Sequence, residues 1–190
     1  MSREHQTSRS LPSLKPDIRL LGGIDEQMVQ HFLDQSDSLK GDRPLVLELS
    51  TMGGEADSAR RLAQEIQLLR QSRELFFLGK SYVYSAGITL MAAVPATHRF
   101  VTRDTILLVH ERRMERTVQL SGALRSAIAV TKDLLAELEM GQALERRGFE
   151  RLVAGSRLKA QELMDRVLEK DWYMTADEAL DLALVAGIVG

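Results

Sequence analysis

The chain of 190 residues has no cysteine, so disulfides, thiolate nucleophiles and cysteine-based zinc sites are excluded. It has little excess charge of either sign: 25 Lys and Arg stand against 27 Asp and Glu, a net charge of −2. The basic surplus of a nucleic-acid binder is missing. No apolar run approaches the roughly 18 residues needed to cross a bilayer. The N-terminal "MSREHQTSRSLPSLKP" is polar and lacks the hydrophobic core of a secretory signal. These absences predict a cytoplasmic protein with neither nucleic acid nor membrane as partner. What is present is ordinary for a globular domain: 44% hydrophobic residues in a length suited to one core. Only His5, His31, His98 and His110 could serve as an imidazole base.

Residues 1–16, rich in Ser, Arg and Pro with little to bury, read as a flexible arm, and 17–190 as a single domain. "DIRLLGG" predicts a strand ending in glycines. "DEQMVQHFLDQSDSL" predicts a helix, with Met28, Val29, Phe32 and Leu33 at helical spacing and Asp25 as N-cap. "LVLELS" is a near-continuous apolar strand, as expected where both faces are covered. An amphipathic helix follows the Gly53-Gly54 turn, "ELFFLGK" is the next strand, and "SYVYSAGITLMAAVP" supplies the next helix. "HRFVTRDTILLVH" reads as one or two strands broken at Arg103-Asp104. From Gln119 to about Ala154 the pattern is mostly helical, and "SRLKAQELMDRVLEKD" adds another helix. "WYMTADEALDLALVAGIVG" gives a brief extended piece and a last helix opened by a Thr175/Glu178 capping box. Strands alternating with helices predict an α/β domain of parallel βαβ units with a helical C-terminal half.

Sites in parallel α/β sheets gather at the C-terminal ends of strands. Three such ends carry chemistry: "LVLELS" runs into Met52-Gly53-Gly54, "ELFFLGK" leads to Ser85, and "TILLVH" ends on His110. Each has a plainer reading. Ser85 fits an N-cap, accepting from a free N–H of the first helical turn, as well as it fits a nucleophile on a strand-to-helix turn. The glycine pair fits a turn as well as a donor of unobstructed N–H groups. Asp171, before an aromatic pair, fits a surface cap or ion pair.

Taken together, order and spacing from about Asp17 to Gly190 resemble the proteolytic subunit of the ATP-dependent Clp protease family, a serine peptidase on the crotonase-like fold. "LSTMGG" is similar to the family's strand ending in Ser-Pro-Gly-Gly, and "YSAGITLMAA" to its nucleophile turn before an apolar helix. "TILLVH" resembles the strand that carries its histidine, at the family's interval of 25 residues after Ser85. "DWYMTADEALDLALVAGIV" looks like the segment that holds its aspartate. The resemblance implies Ser85 as nucleophile, His110 as general base and then acid, and Asp171 as the carboxylate that orients the imidazole. It also implies the N–H groups of Gly54 and Ala86 as oxyanion donors. No metal or cofactor is implied.

The departures are local. Met52 replaces the family's proline, Tyr82 and Tyr84 replace small residues, and Ala86 replaces a methionine. "ERRMERTVQLSG" replaces a Gln-Pro and glycine-rich turn after His110. The cluster Glu111 to Arg116 reads either as a solvated loop or as a contact to a neighbouring subunit. The resemblance further implies a polypeptide substrate and homo-oligomeric rings, heptameric or stacked heptamers. The helical half from Gln119 to about Leu168 would be their joint, with Leu124, Ile128, Leu134, Leu135 and Leu138 on one stripe. An unfoldase ATPase would feed the chamber, although the N-terminal segment does not resemble the family's pore gate. Two other readings stand beside this one: a catalytically weak ring-forming paralogue, and a crotonase-type acyl-CoA enzyme. A lysine dyad through Lys80 is a lesser alternative.

Overall fold

In the computed structural model, which describes residues 10–190, seven strands and six α-helices follow one another along the chain. The order is β1 (Ile18–Leu21), α1 (Glu26–Asp37), β2 (Leu45–Thr51), α2 (Ala56–Ser72), β3 (Leu75–Tyr84) and α3 (Gly87–Ala92). A 3-10 turn at Ala96–His98, β4 (Arg99–Thr102) and β5 (Ile106–Val109) come next. The second half holds α4 (Leu124–Val153), α5 (Ala160–Val167), β6 (Trp172–Thr175), α6 (Ala176–Asp181) and β7 (Gly187–Val189).

Strands β1, β2, β3, β4 and β7 form a parallel path in that order, as the alternation of strands and helices predicts. Two features depart from the expectation. The final segment is not helical to its end: α6 stops at Asp181, and Gly187–Val189 forms β7 beside β4. In addition, β6 runs antiparallel to β5 rather than parallel. Both features come from pairing with residues distant in sequence, which local patterning does not register.

Strand β3 changes partners along its length. Phe77–Gly79 pair with β4, whereas Tyr82–Tyr84 pair with β5. Between the two halves lies Ser81, with φ +59, and the neighbouring β2 shifts register between Leu49 and Thr51. A left-handed residue and a register shift together bend a strand. The segment "SYVY" therefore belongs to β3, not to the following helix.

The alternating side chains of β2 explain its unbroken apolarity. Leu45, Leu47 and Leu49 join the main core with Phe32 of α1, Leu62 of α2 and Leu90 of α3. Val46 points to a second cluster with Phe76, Leu78 and Phe100. Leu11 packs against that second cluster, so this part of the predicted arm does find burial; residues 1–9 lie outside the described residues. Asp25 caps α1 by accepting from the Met28 N–H, and Thr175 and Glu178 form the expected capping box on α6.

One buried charge ties the helical half to the sheet. Arg99, 1% exposed, donates to the carbonyls of Val94, Leu152 and Leu184. Burial lowers its pKa to about 10, with Arg70 adding to the effect, so it remains charged at neutral pH. The C-terminal end of α4 is anchored there, with Phe149, Leu152 and Val153 buried. Toward its N-terminus the helix leaves the domain: Leu124 is 83% exposed, and Ile128, Leu135 and Leu138 are also exposed. Leu134 departs from the expected stripe. It turns about 80° away on the helical wheel and lines a shallow cavity with Val118 and Val130.

Candidate active site

The fold brings the C-terminal ends of β2, β3 and β5 together. Ser85 follows β3 directly and has φ +55, a left-handed conformation that costs a non-glycine residue on the order of 1–3 kcal/mol. Two backbone hydrogen bonds hold it: the Ser85 N–H donates to the Leu108 carbonyl at 2.9 Å, and the Ile88 N–H donates to the Ser85 carbonyl at 3.0 Å. Ser85 does not cap the next helix, whose N-cap residue is Ala86 without a side-chain cap bond. Its Oγ lies 2.8 Å from His110 Nε2.

The protonation pattern of this pair follows from the other ring nitrogen. His110 Nδ1 faces the Glu111 carbonyl oxygen at 2.5 Å. A carbonyl only accepts, so Nδ1 carries the proton and Nε2 is left as acceptor for the Ser85 hydroxyl. The half-buried imidazole thus has the tautomer a general base requires.

Asp171 is not part of this contact. Its carboxylate accepts from the Arg113 guanidinium. The backbone nevertheless sets it near the histidine. The antiparallel ladder of β5 and β6 ends on Val109 opposite Trp172, the sequence neighbours of His110 and Asp171.

Arg113 belongs to the charged run after His110, which is more than a solvated loop. The Glu111 carboxylate accepts from the Glu169 N–H at 2.8 Å. The Arg112 guanidinium stands 3.6 Å from Asp57, and the Arg112 backbone N–H donates to the Glu145 carboxylate. Arg116 pairs with Glu137 on α4. The run straps the region between the histidine, α2, α4 and the segment before β6.

On the opposite side of Ser85 lies the glycine turn. A Cβ on Gly53 would come within 2.7 Å of the Ser85 Cβ, and its φ of +101 also favours glycine. A Cβ on Gly54 would strike the Ile24 backbone, because Gly54 bridges to that residue. Among the described residues, no hydrogen bond engages the N–H of either Gly54 or Ala86. Lys80, in contrast, pairs with Glu48 at 2.9 Å and takes no part in the serine–histidine contact. Tyr84 stacks edge-on against Tyr173 at 5.9 Å and tilted against Tyr82 at 5.7 Å, lining the sheet next to the serine with aromatic rings.

Sequence reasoning passed over Gly53 as the direct neighbour of Ser85, the Glu111 carbonyl as the partner of Nδ1, and Arg113 as the partner of Asp171. The charged run at 111–116 was the available signal for the last two. Which charges pair within such a run depends on side-chain placement.

Comparison with known proteins gives a consistent result. A sequence model described as Clp protease matches residues 4–190. The ATP-dependent Clp protease proteolytic subunit 3 of Rhizobium johnstonii is 23% identical over 175 residues, covering 90% of this chain and 82% of that protein. The ATP-dependent Clp protease proteolytic subunit 2 of Pseudomonas aeruginosa is 24% identical over 174 residues, covering 90% and 80%. Among solved structures, a ClpP1 mutant from Listeria monocytogenes aligns with a TM-score of 0.74 at 16% identity over 90% of each chain. That likeness is one of fold, and the fold is the crotonase-like α/β type.

Proposed function

Because the chain belongs to the Clp protease family, we propose that it is a serine endopeptidase acting on unfolded polypeptides, with Ser85 as nucleophile and His110 as base. The observation that carries this reading is the 2.8 Å approach of Ser85 Oγ to His110 Nε2 in a ring whose Nδ1 faces a carbonyl. A serine hydroxyl is a weak nucleophile at neutral pH and needs such a base. As Oγ attacks the peptide carbonyl, its proton passes to His110 Nε2 and an oxyanion develops. The N–H groups of Gly54 and Ala86 are the proposed donors to it, each such donor being worth about 2.7–4 kcal/mol. The imidazolium then gives its proton to the departing amine, and water repeats the sequence on the acyl-enzyme. Asp171 is the proposed third member, stabilising the imidazolium when its carboxylate faces Nδ1.

A second reading, a catalytically weak ring-forming paralogue, is favoured by one observation: Asp171 is paired with Arg113 and not with the histidine. Labelling with a fluorophosphonate probe separates the two. The peptidase reading expects one modified residue, Ser85, and no label on the Ser85→Ala protein. Undiminished labelling of that variant would sink the assignment, and a wild-type chain that takes no label at all would favour the paralogue.

Assembly belongs to the same proposal. The uncovered apolar stripe of α4 fits the joint of homo-oligomeric rings, heptameric or stacked, in a cytoplasmic setting. An unfoldase ATPase is the partner the family relationship supports for delivering substrate.

A further inference from the structure

We propose that Arg113 is a positioning residue that latches the site: by pairing with Asp171 it withholds that carboxylate from His110, and its release admits Asp171 to Nδ1. The inference rests on the reading of Ser85 and His110 as the reactive pair. Three observations carry it. The β5–β6 ladder ends on Val109 opposite Trp172, so His110 and Asp171 adjoin the same end of the two strands. The carboxylate is engaged instead by Arg113. The Nδ1 proton is engaged by the Glu111 carbonyl at 2.5 Å.

The substitution at Nδ1 has a chemical consequence. A carbonyl dipole fixes the tautomer as well as a carboxylate does, so the Ser85–His110 contact forms normally. It supplies no full negative charge, however, and the imidazolium that develops during attack is stabilised less. The latched site is thus assembled but slow, and the deficit falls on the chemical step rather than on substrate binding.

The latch is built to open. Arg113 is 70% exposed on its side chain and Asp171 31%, and an ion pair so placed is weak and screened by salt. Arg113 is presented by a strap whose neighbours are also held by ion pairs, Arg112 to Asp57 and Arg116 to Glu137. The Glu137 contact lies on α4, so a change at that helix reaches the strap directly.

The test is the rate of fluorophosphonate labelling of full-length wild type, Arg113→Gln, Asp171→Asn and the double variant, resolved into limiting rate and half-saturating probe concentration. Arg113→Gln is expected to raise the limiting rate about two- to fivefold, the population shift that loss of one exposed ion pair produces. The half-saturating concentration should not move. Asp171→Asn should slow the Arg113→Gln protein more than it slows wild type, and added NaCl should speed wild type but not Arg113→Gln. Equal losses in the two backgrounds, or no gain from Arg113→Gln, would overturn the latch while leaving Ser85 as nucleophile. Label retained after Ser85→Ala in the Arg113→Gln background would instead overturn the reading on which the latch rests.

Discussion

Ser85 carries a conformational load that its chemistry explains and its stability does not. At φ +55 any side chain with a Cβ is strained, and glycine is not. Ser85→Gly should therefore be more stable than Ser85→Ala, by on the order of 1 kcal/mol, even though glycine ordinarily destabilises through its freedom in the unfolded chain. Thermal unfolding would show the glycine variant melting about 2–4 °C above the alanine variant. An alanine variant that melts higher would mean the turn is not strained. At this scale the sequence was informative about Ser85 and His110, because their spacing follows from strand ends that the hydrophobic pattern locates. It was not informative about Asp171. Its partner is decided by whether a long, exposed arginine side chain reaches it, and composition does not encode that.

Among the elements, α6 is the clearest case of a local rule with a measurable signature. The Thr175 N–H and hydroxyl both donate to the Glu178 carboxylate, and these bonds hold Glu178 below the usual carboxylate range, the backbone bond contributing most. A depressed carboxylate contributes stability that is present above its unfolded pKa and lost as pH falls through its folded value. Wild type should accordingly lose more stability between neutral pH and about pH 3 than Glu178→Gln, whose amide still accepts at the cap without titrating. Thermal unfolding across that range checks the sign, and equal losses would show that the charge is immaterial. The capping residues of α1 and α6 were legible because each motif is complete within a few residues. The strand β7 was not. "GIV" becomes a strand only by lying beside Phe100–Thr102, some 87 residues earlier in the chain. The second half of β3 was hidden for a similar reason, since Tyr82–Tyr84 owe their conformation to β5.

For the whole molecule the quantity that matters is the number of copies in the active species. Helix α4, about 45 Å long at 1.5 Å per residue, is buried only near its C-terminal end. Leu124, Ile128, Leu135 and Leu138 leave an apolar stripe on the rest of it. Contiguous apolar surface of this kind is rare on monomers. Wild type should sediment as an assembly many times its 21.3 kDa chain mass. Replacing Ile128 and Leu135 by Glu should yield smaller species, with lower turnover of peptide substrates. Fully active monomers in analytical ultracentrifugation would refute the ring and leave the serine–histidine pair intact. The helical half and its amphipathicity were legible from sequence, yet the face that stays bare was assigned in part wrongly. Leu134 turns toward the segment at Val118, because helical rotation, not apolarity alone, sets which leucines share a face.

The antiparallel pairing of β5 with β6 also bears on how this architecture tolerates change. His110 follows and Asp171 precedes a ladder of four pairs, so the excursion of residues 111–170 between them is free to vary in length without altering that ladder. Whole turns could be inserted into or removed from the projecting part of α4, up to the point where Leu152 meets Arg99, and the ladder beside the two residues would be kept. An ancestor could thus refashion the strap and the projecting helix, acquiring new oligomer contacts or a new means of restraint, while the strands beneath were inherited unaltered.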